Sequence, residues 1–230
     1  MKTFISFALV VAGFFCTTGI AYSQKSGKPL KTKADSISYA FGIEMAKELK
    51  DNIEVEDEIF MLKTFIKGFT AYFEGDDLRM DKDSTRSILS AYFMEKSEKD
   101  KQMAIKEGND FLEKNKEREG VSVTESGLQY EVIDSGTGKM PGESSNVTVH
   151  YKGSLIDGTE FDNSWDRGEP ASFGVTQVIM GWTEALQLMH VGDRWKIYIP
   201  YELGYGERGA GGVIPPYAVL IFEVELLDVD

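Results

Sequence analysis

The spacing of apolar residues along this 230-residue chain changes character once, and the change divides it. From Asp35 the pattern is helical. In "DSISYAFGIEMAKELK" Ile37, Phe41, Met45 and Leu49 recur every fourth position, with Asp35 or Ser36 able to cap the start. In "VEDEIFMLKTFIKGFTAYF" acids open the segment and Ile59, Leu62, Ile66, Phe69 and Phe73 share one stripe, leaving Phe60, Phe65 and Tyr72 outside it. A small helical unit cannot hide so many aromatics within itself. The pattern therefore predicts that some are covered by a second copy of the chain, with docking onto another domain as the alternative. After "EGDDLRMDKD", a segment from Ser84 to Lys116 holds no proline and one glycine, Gly108. Ile88, Tyr92 and Phe93 lie near its start and Phe111 and Leu112 near its end, while "EKSEKDKQ" between them is polar on every side. A helix polar all round bridges solvent between domains. At 1.5 Å per residue this one would run about 50 Å, a connecting rod.

Beyond it the period becomes two. Val147, Val149 and Tyr151 share one face of a strand and Thr148, His150 and Lys152 the other. Trp195, Ile197 and Ile199, then Phe222, Val224 and Leu226, repeat the alternation, and one short helix, "TEALQLM", interrupts them. The expected fold class is α+β: an antiparallel sheet wrapped around one helix over 118–230, preceded by an all-α unit over 35–82 and a long connecting helix over 83–117.

The first 23 residues carry Lys2, an apolar run from Phe4 to Phe15, and Ala21 and Ser23 spaced as a cleavage site before Gln24. This reads as a secretory signal peptide, followed by a basic flexible arm over 24–34. The apolar run is too short for a stable membrane span, which needs about 20 residues. Export to a periplasmic, outer-membrane or cell-surface location follows as an expectation. Lipidation at Cys16 is the alternative, opposed by bulky Phe14 and Phe15. Cleavage after Ser23 would remove this only cysteine, leaving no disulfide and no thiolate. The net charge of −13 argues against nucleic acid as a partner. His150 and His190, the only histidines, sit on different predicted elements, so neither a metal site nor a Ser-His-Asp arrangement is expected. The glycines of "YGERGAGG" lead into Val213-Ile214-Pro215-Pro216 and not into a helix, which argues against a phosphate cradle. No cofactor is expected. What stands out is a supply of aromatics beside glycine-rich turns, in "GTEFDNS", "VIMGW" and "GYGERGAGGVIPP", a composition suited to a pocket mouth.

Those segments carry a resemblance. "VTVHYKGSLIDGTEFDNSWDRGEP", "FGVTQVIMGWTEALQLMHVGDRWKIYIP" and "LGYGERGAGGVIPPYAVLIFEVELL" resemble the FKBP-type peptidyl-prolyl isomerase domain over about residues 120–229. The helical portion, with "GNDFLEKNKEREGVSVTESGLQYEVI", is similar to the macrophage infectivity potentiator branch of exported isomerases that dimerise through N-terminal helices. The resemblance implies a prolyl pocket lined by Tyr151, Phe161, Asp162, Val178, Ile179, Trp182, Tyr205 and Phe222, with Trp182 as floor and Val213 and Ile214 in an overhanging loop. It implies that Tyr205 donates its hydroxyl to a substrate carbonyl, that Ile179 offers a backbone N–H to another, and that Arg167 pairs with Asp162. Ala171 stands where many members carry a pocket aromatic, and Phe173 is the expected replacement; Ala210 stands where some carry histidine. Proline-containing unfolded polypeptides are the implied partners, a homodimer the implied assembly, and macrolides the implied inhibitors. A dimeric holdase, gripping unfolded chains with catalysis incidental, is the alternative function.

Overall fold

The computed structural model describes residues 30–52 and 60–230. The expected signal peptide, most of the flexible arm and the acidic opening of the second helical segment lie outside them. The chain divides into two compact units between Arg79 and Met80.

The first unit holds α1 (Lys33–Asn52) and α2 (Leu62–Glu74). Helix α1 begins two residues before the expected Asp35 because Thr32 and Asp35 satisfy each other's free N–H groups. Asp35 N donates to Thr32 Oγ1 at 3.0 Å and Thr32 N to Asp35 Oδ2 at 2.9 Å. Along α2 the rings of Phe60, Phe65, Phe69 and Phe73 follow one another at 5.1, 6.2 and 5.5 Å between centroids. Phe65, placed outside the apolar stripe by its spacing, belongs to this row because residues four apart lie one turn above each other. No described residue of α2 is buried, and on α1 Tyr39, Phe41 and Ile43 are exposed.

The second unit opens with α3 (Lys82–Lys116), capped by Asp81, whose carboxylate accepts from Ser84 N at 2.7 Å. Its polar middle is braced by side chains four apart: Lys96 on Asp100 at 2.8 Å, Gln102 on Glu98 at 2.8 Å and Lys106 on Asp110 at 2.6 Å. Its last turns pack on the sheet. Leu112 buries against Tyr198 and Val219. Gly108 is the point of closest approach, since a Cβ there would stand 2.9 Å from Val219 Cγ2. Asn115 and Gln129 are each 4% exposed, yet their polar atoms are paired. Asn115 Nδ2 donates to Gln129 Oε1 at 2.9 Å and Gln129 Nε2 to the Leu112 carbonyl at 3.0 Å, while Arg118 reaches both Asn115 Oδ1 at 2.9 Å and the Tyr198 hydroxyl at 2.7 Å.

The sheet that follows comprises β1 (Val121–Val123), β2 (Gln129–Asp134), β3 (Asn146–Leu155), β4 (Glu160–Asn163), β5 (Ala171–Gly174), β6 (Arg194–Ile199) and β7 (Leu220–Val229). Its order is β1-β2-β6-β7-β3-β4, with β5 also paired to β3, and every pairing is antiparallel. The alternation read from sequence sets the buried face: Val147 and Val149 of β3, Trp195, Ile197 and Ile199 of β6, and Phe222, Val224 and Leu226 of β7 are buried. A one-turn helix, α4 (Ser164–Arg167), follows β4, and α5 (Met180–Leu188) lies against the buried face, adding Trp182, Ala185 and Leu186 to the core. The fold is therefore the expected α+β arrangement, helices first and then an antiparallel sheet around one helix.

Candidate active site

One side of this core is open. A cavity of about 540 Å³ is bounded below by Trp182, 4% exposed, at the start of α5. Three rings meet Trp182 edge-on: Phe222 at 5.2 Å and 89°, Tyr151 at 5.3 Å and 89°, and Phe173 at 5.6 Å and 66°. Phe161 extends the wall by an edge contact of 5.5 Å with Phe222. Each ring comes from a different strand, and register explains why they converge. Tyr151 pairs with Val224 and Gly153 with Phe222 across β3 and β7, while Phe173 of β5 lies opposite Val147 and Phe161 of β4 precedes the Asp162 that faces Gly153. Edge-to-face packing suits the quadrupoles of these rings and leaves an apolar floor.

Val178 and Ile179 line the cavity from the segment entering α5, and Ile179 is the helix N-cap, its carbonyl accepting from Trp182 N at 2.9 Å. Opposite them Tyr205, Val213 and Ile214 line it from the loop between β6 and β7. That loop closes on itself: Ala210 and Ile214 exchange two backbone hydrogen bonds of 2.9 Å. Gly209 makes the closure possible. Its φ is 62°, and a Cβ on it would stand 2.1 Å from the Ile214 carbonyl oxygen.

The charge at the rim is Asp162. Its carboxylate accepts from the Tyr151 hydroxyl and from Arg167 Nη1, and Arg167 Nη2 donates to the Tyr151 hydroxyl at 3.1 Å. Arg167 is placed by α4, which Asn163 caps by accepting from Trp165 N at 3.0 Å. The fully buried Ser164 ties that turn to β3, its Oγ accepting from Tyr151 N at 2.7 Å and donating to the Tyr151 carbonyl at 3.1 Å. Burial alone would raise the Asp162 pKa, but the hydrogen bond from Tyr151 and the bond and charge of Arg167 outweigh it and hold the carboxyl below its ordinary range. Burial, and then the hydrogen bond given to Asp162, push the Tyr151 phenol up. At neutral pH the site thus holds a carboxylate and a neutral phenol.

Of the residues expected here, Asp162, Tyr205, Tyr151, Phe161, Phe173, Val178, Ile179, Trp182, Val213, Ile214 and Phe222 all border the cavity, whereas Arg167 stands behind Asp162 and does not. Gln177, Ala210 and Gly211 also border it. The position of Gln177 directly before Val178-Ile179 was the available signal for it. Neither histidine does: His150 bonds Ser164 Oγ at 2.9 Å and stacks on Trp165, and the backbone N–H of His190 donates to Asp193 at 2.6 Å. Among the described residues that border the cavity there is no serine, threonine, cysteine, lysine or histidine. The arrangement offers an apolar cup, one fixed negative charge and hydrogen-bond donors at the rim.

Two family profiles match the chain. Residues 138–227 match the family described as FKBP-type peptidyl-prolyl cis-trans isomerase, and residues 34–132 match the domain amino-terminal to it. The chain is 38% identical over 231 residues to the "Outer membrane protein MIP" of Legionella longbeachae, covering 95% of this chain and 94% of that protein. It is 58% identical over 123 residues to the FKBP-type 22 kDa peptidyl-prolyl cis-trans isomerase of Escherichia coli K12, covering 54% of this chain and 60% of that one. Among solved structures, that of FkpA from Escherichia coli superposes with a TM-score of 0.71 at 35% identity, covering 88% of this chain and 99% of that one.

Proposed function

Because the chain belongs to the FKBP-type peptidyl-prolyl cis-trans isomerase family, we propose that it rotates X-Pro bonds in the Trp182 pocket without covalent chemistry. The observation that carries this reading is the apolar floor of edge-packed rings beside a carboxylate held by two donors. An amide resists twisting because resonance puts negative charge on its oxygen and double-bond character in its C–N bond, a barrier of about 18–20 kcal/mol. The half-rotated state has lost that resonance, so its carbonyl is less polar. An apolar cup disfavours the planar forms more than the twisted one, and the Asp162 carboxylate, set beside the carbonyl, adds to the difference because it repels the more negative planar oxygen more strongly. The Tyr205 hydroxyl and the Ile179 N–H hold the flanking carbonyls while the bond turns, and Val213 and Ile214 cover the ring. Shortening tens of seconds to milliseconds takes about four decades, or about 5.5 kcal/mol, within reach of a few oriented interactions.

The test is isomerisation of a Leu-Pro peptide followed without a coupled protease. The wild-type chain should accelerate exchange and a macrolide inhibitor should block it, while Asp162→Ala should lower kcat/KM about 10–100-fold, the size of losing one interaction with a charged group. The rate should be flat from about pH 5 to 9. Asp162 is depressed below the ordinary value of about 3.9, so its contribution is present above that value and fades only as pH falls through the lower folded pKa. Tyr151 is raised above about 10, so its protonated form persists past that pH. A bell-shaped profile centred near neutrality would refute this non-acid–base mechanism.

The α1 and α2 faces support a homodimer. Tyr72 and Phe73 are 77% and 79% exposed in the single chain, and burying a phenylalanine gains about 1.5–3 kcal/mol. Sedimentation of the mature protein should give twice the chain mass, and Phe69→Glu with Phe73→Glu should give a monomer whose turnover of a small peptide is unchanged. The apolar leader over 1–23 and the name of the Legionella relative support export to the periplasm or outer membrane, where the protein would assist folding. Among the described residues no helix is long and apolar enough to cross a membrane.

A further inference from the structure

The loop that frames the pocket is held from behind by α3. Tyr217 stands where that loop turns into β7, directly after Pro215-Pro216, and among the described residues it is the one non-glycine with positive φ, 61°. A side chain with a Cβ is disfavoured in that conformation, and for a bulky residue it is an outlier that the surroundings must impose. Three contacts impose it. The Tyr217 N–H donates to the Gly206 carbonyl at 3.0 Å, one residue past Tyr205. Its ring meets Tyr201 edge-on at 5.4 Å and 71°. Lys101 of α3 sets its ammonium 5.4 Å from the ring centroid, a cation held over a π face. Two turns further along α3, Gly108 meets Val219, so the helix touches the chain on both sides of Ala218.

Neither Tyr217 nor Lys101 borders the cavity, but the inner side of the same loop supplies Tyr205, Ala210 and Ile214. We infer that Tyr217 and Lys101 are positioning residues, which lock the pocket-framing loop to the connecting helix and thereby set where Tyr205 and Ile214 stand over a bound prolyl residue. The inference rests on the isomerase reading of the pocket. It makes α3 a working part of the site: whatever shifts the helix at Lys101 shifts the loop.

The experiment uses the full mature chain and a Leu-Pro peptide, with KM and kcat measured separately. Asparagine tolerates positive φ better than tyrosine, so Tyr217→Asn removes the ring while easing the backbone. It should melt within a few degrees of wild type yet raise KM about 3–10-fold, the scale of one aromatic pair and one cation–π contact, with kcat changed less than about twofold. Tyr217→Phe and Lys101→Arg, which keep ring and cation, should stay within about twofold of wild type. Lys101→Gln, a change on the surface of a helix, should raise KM by about 2–3-fold and carries the test should Tyr217→Asn fail to fold. The double variant should be no worse than Tyr217→Asn alone, because the two residues act as one unit. An unchanged KM in folded Tyr217→Asn, an unchanged KM in Lys101→Gln, or a Tyr217→Phe protein as impaired as the asparagine variant overturns the inference while the isomerase reading stands. A wild-type chain no faster than buffer overturns both.

Discussion

Trp182→Ala should lower kcat/KM for a Leu-Pro peptide by about 100-fold or more and destabilise the sheet unit by about 3–5 kcal/mol, the range for deleting a buried tryptophan. The two losses have one origin. Trp182 is 4% exposed and touches the rings of Tyr151, Phe173 and Phe222, so its removal opens a void beneath them that is continuous with the cavity above. Water would then reach the position of the prolyl ring, and the preference for the less polar twisted amide would shrink with the apolar contact that created it. Urea unfolding measures the first effect and peptide exchange the second. Since a cost of that size is a large part of a domain's stability, Trp182→Leu is the companion variant. It fills more of the void, so it should recover most of the stability and only part of the activity. Activity of Trp182→Ala within threefold of wild type would mean that the floor is not the source of catalysis.

Gly209→Ala should separate the two effects, slowing the reaction while sparing most of the fold. The new methyl would fall 2.1 Å from the Ile214 carbonyl oxygen and 2.7 Å from the Pro215 carbonyl carbon, both backbone atoms that cannot swing aside. The φ of 62° with ψ of −164° is a backbone conformation open essentially only to glycine, and it adds about 1–3 kcal/mol of strain for any residue with a Cβ. The cheapest relief is to open the Ala210–Ile214 closure, which loses two hydrogen bonds and lifts Val213 and Ile214 from over the pocket. A drop in kcat/KM of about tenfold or more is expected, with a midpoint of thermal unfolding lowered by no more than about 10 °C, since Ile214 is the one buried core residue displaced and the strands keep their pairing. A variant with wild-type turnover would show that the overhang contributes nothing.

Much of this architecture was legible because it rests on local periodicity. The alternation of Val147 and Val149 and of Phe222, Val224 and Leu226 survives as the buried face of the sheet, and the polar run from Glu95 to Gln102 does lie within one uninterrupted helix. The aromatics beside glycine-rich turns do stand around one cavity. What periodicity could not supply was any contact whose partners are far apart in sequence. Asn115, Gln129 and Tyr198 form one network with Arg118, yet each alone looks like an ordinary polar or strand residue. The alternation places His150 on the strand face opposite Val147 and Val149 and goes no further; its bond to Ser164 and its stacking on Trp165 depend on how α4 folds back onto β3. Likewise Tyr217 carries no mark in the sequence of its unusual backbone, which arises from its contacts with Gly206, Tyr201 and Lys101. The α1 start was within reach, since Thr32 three residues before Asp35 is a recognisable reciprocal cap.

The lengths of the outer strands carry a last consequence. On one margin of the sheet lies β1, three residues long; on the other, β4 and β5, four residues each, divide the free side of β3 between them. Such stubs give an incoming extended chain few unpaired amides to zip onto. The family to which this chain belongs binds proline-containing peptides, and with margins this short a peptide held by its proline finds little edge along which to anneal.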